Sequence, residues 1–211
     1  EEGTRTLLVT GSTNLSPGDR ALQSRLQSLG YTVTLKDDHK VQASDANNQD
    51  VVVISESVLS FVVGNTFTRS DIPIVTLEPN LYDDLKLTGN RPGKDFGFLF
   101  NTQAIEINDT DHPLSAQASS STQVYNRPGA VSWGNPNDNA VDIASVKGDR
   151  TKSTLFGYEK GATLVDGSTA ANNRVGLFLS HQNNEGQSMS NQGWSLFDAA
   201  LDWATDNPTP S

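Results

Sequence analysis

Acidic, hydroxyl and imidazole side chains follow short apolar runs of this chain, where they could perform acid–base chemistry. Glu56 comes after VVVI, Glu78 after IPIVTL, and His181 after VGLFLS. Two neighbouring carboxylates can act as general acid and base, and an imidazole can be a base near neutral pH. Each also has a structural interpretation, which we favour: Glu78 as the cap of a helix starting at Pro79, and His181 as a structural hydrogen-bonding group.

The apolar runs predict the elements that position these residues. Continuous apolar runs separated by helix-like segments are typical of a parallel sheet buried on both faces. In such sheets, ligands bind beyond the carboxyl ends of the strands. We therefore expect Ser12, Glu56, Glu78 and His181 to face one crevice. The four runs are Thr6–Thr10, Val51–Ile54, Ile72–Leu77 and Val175–Leu179.

The middle of the chain has a different pattern. Between residues 96 and 165, short β-like runs alternate with Gly, Pro, Asn and Asp, which predicts antiparallel hairpins on one edge of the sheet. A closing helix is expected over Asn191–Thr205, where large apolar residues share one face. We predict a single α/β domain over residues 1–206, and residues 207–211 as the start of a Pro/Thr/Ser linker.

Several motifs carry a resemblance to a known family. The segments PIVTLEP, DHPLS, RVGLFL and the last helix GWSLFDAALDWA resemble the ThuA-like branch of the class I glutamine amidotransferase-like superfamily. They are closest to accessory domains of secreted bacterial modular proteins. The resemblance implies a flavodoxin-like, three-layer core with a mainly parallel sheet and a β-rich insertion.

The same resemblance implies positions for the chemistry. The amidotransferases place a nucleophilic Cys after the strand that matches Ile72–Leu77, where this chain has Glu78. Their catalytic His follows the late strand, near Ser180 and His181. Because the chain contains no Cys, the thiol chemistry of that family does not carry over. On this ground we favour a non-catalytic interpretation.

Two further segments contain candidate ligand contacts. Trp133, in the segment SWGNP, could stack on a sugar ring; the alternative is a Trp packed over the edge of the core. Ser12 and Asn14 lie after the first strand, where flavodoxin-like folds hold phosphates, but no nucleotide-binding motif is present. We expect no cofactor. The candidate ligand contacts are Ser12, Asn14, Glu56, Glu78, Trp133 and His181.

Metal sites have little support in the sequence. The three His residues are scattered and show none of the spacings of a zinc site. Loops rich in Asp and Asn, such as 108–111 and 135–139, offer oxygen ligands for calcium, but none matches an EF-hand loop. We therefore predict no metal site and keep calcium as an alternative.

Composition restricts the partners. The net charge of −10 disfavours nucleic acid and anionic membranes, and no apolar run is long enough to span a bilayer. The Pro/Thr/Ser-rich end favours a module of an exported protein, so we expect a secreted or cell-surface location. The expected partners are carbohydrate and other domains of the same chain.

Three functions remain open. The favoured hypothesis is a non-catalytic or degenerate accessory module of a secreted modular protein, with carbohydrate binding. The first alternative is a carbohydrate-active hydrolase that uses Glu78 and His181 at the strand ends. The second is a structural spacer in an adhesin or cell-surface protein.

Overall fold

The computed structural model describes residues 3–206 and contains one mixed sheet of eleven strands there. The strands are β1 (Arg5–Thr10), β2 (Thr32–Asp37), β3 (Val51–Ile54), β4 (Ile74–Thr76), β5 (Phe96–Thr102), β6 (Ala104–Ile107), β7 (Ser121–Gln123), β8 (Gly129–Gly134), β9 (Val141–Val146), β10 (Asp149–Tyr158) and β11 (Arg174–Leu177). The order along the sheet is β2-β1-β3-β4-β11-β10-β9-β6-β7, and β8 pairs with both β5 and β10.

The core of the sheet is parallel. Strands β2, β1, β3, β4 and β11 all run in one direction, so their carboxyl ends share one edge. Strand β3 shows why: its four residues VVVI are all buried, as expected for a β-branched run covered on both faces. The predicted α/β, flavodoxin-like core is confirmed.

Three α-helices and four short 3₁₀ turns accompany the sheet in the described part of the chain. The α-helices are α1 (Pro17–Ser28), α2 (Ser60–Val63) and α3 (Asn191–Thr205). The 3₁₀ turns are Ala43–Ala46, Pro79–Leu81, Pro113–Ser115 and Glu185–Ser188. Within residues 3–206, no helix is long and apolar enough to cross a membrane.

Helix α1 forms as its sequence predicts. The side chain of Ser16 caps the helix by accepting a hydrogen bond from the backbone N–H of Asp19, and Pro17 occupies the first turn. Leu22 and Leu26 then bury one face. This fixes the start of the helix, and with it Ser16, beside the carboxyl end of β1.

The two faces of the sheet have different coverings. On one face, α1 and α3 pack against the sheet through a cluster that includes Leu26, Val53, Leu177 and Phe197. The opposite face is covered by α2 and the segments around it, through residues such as Phe67 and Tyr82. These coverings produce the expected three layers.

The β-rich insertion extends the sheet past β11. Strand β10 pairs antiparallel with β11, β9 with β10, and β6 with β9. The expected hairpins at one edge are therefore present. The stretch 161–165, predicted as an additional strand, forms only an isolated bridge between Thr163 and Thr169.

The segments after β3 and β4 differ from the prediction. The apolar residues of 57–65 predict a short helix there, but α2 has a single turn, because Gly64 adopts a positive φ of 48° at its end. After β4, only the turn Pro79–Leu81 is helical, and Lys86 has a left-handed φ of 62°. Residues 207–211, predicted as a linker, lie outside the described residues, and the single domain stays a prediction.

Candidate functional site

An open cleft of about 330 Å³ lies at the carboxyl ends of the parallel strands. The loops after β1, β2, β3 and β11 form its walls. It is therefore placed where α/β sheets bind ligands. The lining residues are Gly11, Ser12, Asn14, Ser16, Asp19, Asp38, Ser57, Leu59 and His181.

A hydrogen-bonded serine and histidine face this cleft. The Oγ of Ser16 lies 2.6 Å from the Nε2 of His181, although 165 residues separate them in sequence. If Ser16 donates, Nε2 is the acceptor and the imidazole proton is on Nδ1. The Oγ of Ser16 also accepts a hydrogen bond from the backbone N–H of Asp19 at 3.2 Å. That donor stabilises negative charge on Oγ.

Glu56 holds the loop that carries His181. Its Oε2 accepts the backbone N–H of His181 at 2.7 Å, and its Oε1 accepts the side-chain amide of Gln182 at 2.5 Å. Both carboxylate oxygens are therefore engaged, and the residue is only 6% exposed. Glu56 thus fixes the position of His181 and does not point freely into the cleft.

A second set of contacts ties the same loop to α1. The side-chain oxygen of Asn184 accepts the backbone N–H of Gly18 at 3.1 Å, and Glu185 accepts the backbone N–H of Asn183. Gly18 lies in the first turn of the helix that Ser16 caps. The Asn184–Gly18 bond therefore holds the loop after β11 to the start of α1 beside the Ser16–His181 pair, and the Glu185–Asn183 bond braces the loop internally.

Asp19 anchors the neighbouring wall. Its two carboxylate oxygens accept hydrogen bonds of 2.5 Å each from the hydroxyls of Ser55 and Ser57. Ser57 Oγ in turn accepts the backbone N–H of Gly11 at 3.0 Å. These bonds join the loops after β1 and β3 at the base of the cleft.

Glu78 is located away from the cleft lining. It is 3% exposed, and its Oε1 accepts the backbone N–H of Asn80 at 2.9 Å, so that it caps the turn Pro79–Leu81. The capping interpretation of Glu78 therefore matches the structure. Its predicted partnership with His181 does not, because the His181 imidazole contacts Ser16 instead.

Burial raises the pKa of both carboxyls. The pKa of Glu78 is raised to about 8, mainly by desolvation and further by the negative charge of Glu56. The pKa of Glu56 is raised to about 7 by desolvation, against the lowering effect of its hydrogen bonds to His181 and Gln182. Glu78 is therefore largely neutral at pH 7, while Glu56 is close to half-ionised.

Trp133 has no exposed face for a ligand. The side chain lies in the core at 3% exposure, with the Nζ of Lys152 5.1 Å from its ring centroid. The prediction that it stacks on a sugar is corrected: the ring packs against β5, where a Cβ on Gly97 would lie 2.8 Å from it. Among the other predicted contacts, Ser12, Asn14 and His181 line the cleft.

One cluster has ligand atoms close enough for a metal. The carboxylates of Asp37 and Asp38 and the imidazole of His39 place one atom each within 4.8 Å of one another. Asp38 is already bonded to His39 Nδ1 at 2.7 Å and to the backbone N–H of Leu59 at 2.7 Å. Hydrogen bonds thus account for the cluster, and the absence of a metal site and of a cofactor stays a prediction.

A larger groove of about 740 Å³ lies elsewhere, between α3 and the loop 110–117. Its walls include Trp203 and several aspartates, among them Asp198, which pairs with Arg25. No residue of the candidate site lines this groove, and it has no serine–histidine pair. The Ser16–His181 pair is therefore in the smaller cleft at the strand ends.

Comparison with known proteins identifies the fold. No family model matches the chain, and no curated protein does. A Thermoplasma acidophilum protein, described as part of a GMP synthase, has a TM-score of 0.63 at 12% identity, covering 98% of this chain and 96% of that one. The chain has the glutamine amidotransferase fold.

Two other solved structures share the glutamine amidotransferase fold. A glutamine amidotransferase from Thermotoga maritima has a TM-score of 0.58 at 10% identity, with 98% of this chain and 100% of that chain covered. PurLQS from Thermotoga maritima has a TM-score of 0.53 at 11% identity, with 95% of this chain and 99% of that chain covered. The superfamily part of the resemblance is thus supported at the level of fold.

These neighbours overturn the functional hypothesis drawn from the sequence. The matching proteins are named as a GMP synthase subunit and a glutamine amidotransferase, and none is named as a carbohydrate-binding or accessory module. The hypothesis of a non-catalytic, carbohydrate-binding accessory module was wrong, as was the spacer. The alternative of a carbohydrate hydrolase fails with it, since Glu78 and His181 are not partners. The expected exported location stays a prediction.

Sequence reasoning missed the residues that complete the site. Ser16 was identified only as a helix cap, and Asp19 was not singled out. One sequence signal was available: Ser16 follows the first strand of a parallel sheet, at the same edge as His181. Without the loop contacts of Glu56 and Asn184, however, nothing in the sequence indicates that Ser16 and His181 meet.

Proposed function

We propose that the chain is an enzyme that cleaves esters or amides by acyl transfer, with Ser16 as nucleophile and His181 as general base. The observation that carries this proposal is the 2.6 Å contact between Ser16 Oγ and His181 Nε2 in the open cleft. A serine within hydrogen-bond reach of a histidine is the arrangement that activates a hydroxyl for attack.

The first step follows from this geometry. His181 Nε2 takes the proton of Ser16 as Oγ attacks the carbonyl carbon of the substrate, which becomes tetrahedral. The imidazolium then gives that proton to the leaving alcohol or amine as the bond to it breaks. The products are a Ser16 acyl ester and the free leaving group.

The second step regenerates the enzyme. His181 removes a proton from a water that attacks the acyl ester, and returns it to Ser16 Oγ when the acid product leaves. The N–H of Asp19 donates to Ser16 Oγ at 3.2 Å, which holds the hydroxyl in place beside His181. The chemistry requires no thiol, in keeping with a chain that has no Cys.

The fold neighbours support the same class of reaction. The names of two of them include the words glutamine amidotransferase or GMP synthase, and an amide is an acyl group bound to nitrogen. In this chain the nucleophile would come from the loop after β1 instead of the position after β4, where Glu78 caps a turn.

Active-site labelling tests the proposal directly. The purified chain is incubated with a fluorophosphonate, and the modified peptide is located by mass spectrometry, alongside hydrolysis of p-nitrophenyl butyrate and ammonia release from glutamine. We expect labelling at Ser16, and loss of label and hydrolysis in Ser16→Asn. Asn is a good helix cap, so this variant removes the nucleophile without removing the cap.

Two further variants complete the test. His181→Gln should lower kcat by about 10²–10⁴-fold, which is the usual contribution of a general base. Ser195→Ala removes an exposed serine on α3 and should change neither label nor rate. Absence of label at Ser16, together with equal hydrolysis by wild type and Ser16→Asn, would overturn the proposal.

A further inference from the structure

Exposed apolar side chains lie on the segment after β3, which forms one wall of the cleft. Leu59 lines the cleft and is 44% exposed, and Phe61, two residues further on, is 81% exposed. No other large hydrophobic side chain in residues 3–206 is as exposed as Phe61. An exposed apolar surface next to a concave site is a place where a ligand can bury apolar area.

The turn that carries these residues is anchored. The backbone N–H of Leu59 donates to the Oδ2 of Asp38 at 2.7 Å, and the side chain of Val63 is buried beneath α2. Asp38 is itself buried at the end of β2. The backbone of this apolar rim, defined by Leu59 and Phe61, is thus fixed relative to the cleft.

Charge restricts what enters the cleft. Its lining includes the carboxyl side chains of Asp19 and Asp38 and no lysine or arginine. A negatively charged substrate would approach carboxyl groups without a compensating cation, which is unfavourable at short range. The hydroxyl of Ser12 and the side-chain amide of Asn14 remain for neutral polar groups.

We propose that the substrate is an uncharged ester or amide with an apolar acyl group, which lies against Leu59 and Phe61 while its carbonyl carbon reaches Ser16. This inference rests on the proposed acyl-transfer function and adds the class of substrate to it. A carboxylate-bearing acyl group of equal length is disfavoured by Asp19 and Asp38. The apolar rim is therefore the part of the site that determines specificity.

A series of p-nitrophenyl esters tests the inference by kcat/KM. The acyl groups are acetyl, butyryl, hexanoyl and octanoyl, with the negatively charged hemisuccinate as the counterpart of butyryl. We expect kcat/KM to rise about two- to fourfold per methylene until the rim is covered, in line with burial of apolar area. The hemisuccinate should react at least about tenfold more slowly than the butyrate, through repulsion by the carboxyl groups.

Variants of the rim locate the effect. Phe61→Ala and Leu59→Ala should lower kcat/KM for the octanoyl ester more than for the acetyl ester, which flattens the dependence on chain length. Phe100→Ala is the matched control, since Phe100 is 59% exposed on β5, a strand that supplies none of the loops that form the cleft. Circular dichroism melting of each variant confirms that it is folded.

A binding measurement separates this inference from the proposed function. Octanamide, butyramide and succinamate are added to the Ser16→Asn protein, and the melting temperature is recorded. A rise in melting temperature with octanamide that is absent in the Ser16→Asn, Phe61→Ala double variant supports the apolar site. This result does not depend on whether the wild-type protein hydrolyses esters.

The outcomes are distinct. One outcome is hydrolysis that depends on Ser16 but shows no preference for longer or uncharged acyl groups, together with no shift of the melting temperature by octanamide. This outcome overturns the inference and leaves the proposed function intact. Equal hydrolysis by wild type and Ser16→Asn removes the proposed function. In that case a Phe61-dependent shift by octanamide still supports the apolar site, and the lack of one overturns it.

Discussion

The backbone N–H of His181 donates a 2.7 Å hydrogen bond to Oε2 of Glu56, which joins the loop after β11 to the end of β3. The imidazole of the same histidine contacts Ser16 at the start of α1. His181 therefore connects three elements through two different groups. Because the buried carboxylate of Glu56 determines where the loop lies, it acts as a positioning residue for the serine–histidine pair.

We expect Glu56→Gln to slow catalysis in a pH-dependent way. The Glu56 carboxylate accepts hydrogen bonds from two donors, whereas the glutamine side chain of the variant can accept only at its one oxygen, so one hydrogen bond is lost. A charge-assisted hydrogen bond of this kind corresponds to about tenfold in rate. The pKa of Glu56 is about 7, so its protonation removes the same bond in the wild type as pH falls. The ratio of wild-type to variant kcat/KM should therefore fall from about 10 at pH 8.5 to near 1 at pH 5.5.

Taking the ratio isolates the effect of Glu56, because the other groups of the site are the same in both proteins. Glu159→Gln, which alters an exposed carboxylate, is the control and should match the wild type at every pH. A ratio that stays constant with pH would show that the ionisation of Glu56 does not position the loop.

The parts of the fold that the sequence predicts best are those with uninterrupted local signals. Strand β3 is four β-branched residues in succession, and α3 has a serine cap at Ser190 followed by one apolar face. In both elements the local propensity agrees with the burial pattern, so the observed bounds of β3 and α3 are close to the expected ones. The class of fold follows from the parallel order of such strands.

Predictions failed where tertiary packing decides the local structure. The apolar residues Leu81, Leu85 and Leu87 suggest a helix, but the backbone there turns to bring them onto the same core cluster, and Lys86 takes a left-handed conformation between them. The spacing of the apolar residues alone cannot distinguish a helix from this irregular turn, because the same side chains are buried in both structures.

The sequence places Ser12, Asn14 and His181 among the candidate contacts, and they line one cleft, but it does not indicate that His181 pairs with Ser16. Glu56 and His181 do meet, yet through a backbone N–H and not through the imidazole. Ser16 and His181 are brought together by contacts between loops 165 residues apart. Such contacts depend on loop conformation, which strand and helix patterns do not specify.

We expect Glu78→Gln to flatten the dependence of stability on pH. The pKa of Glu78 rises from 4.5 to about 8 on folding, so the folded state binds more protons between these values and the free energy of unfolding falls as pH rises through this window. The glutamine variant cannot ionise, and it retains an oxygen for the N–H of Asn80. Between pH 5 and pH 8, urea unfolding should show about 3–4 kcal/mol less loss of the free energy of unfolding in the variant than in wild type. Parallel profiles for the two proteins would contradict this expectation.

We expect Asn184→Gly to reduce kcat while changing KM little. The side chain of Asn184 accepts the N–H of Gly18, and the residue has a φ of 53°, which glycine tolerates. Losing one such bond costs about 1 kcal/mol of stability, and it loosens the loop that presents His181 to Ser16. Asn183→Ala, at an exposed neighbouring amide, is the control. A change in KM alone would indicate that Asn184 contacts the substrate instead.

We expect Trp133 to matter for stability and not for catalysis. Its ring is buried against β5, and the cleft that contains Ser16 is lined by other residues. Trp133→Ala should therefore lower the free energy of unfolding by about 3 kcal/mol through the cavity it leaves, and Trp133→Phe by less. At a temperature where Trp133→Phe is fully folded, its kcat/KM for p-nitrophenyl butyrate should equal that of wild type. A folded Trp133→Phe protein with strongly reduced kcat/KM would place this residue in the site after all, since no loss of packing would then account for the rate.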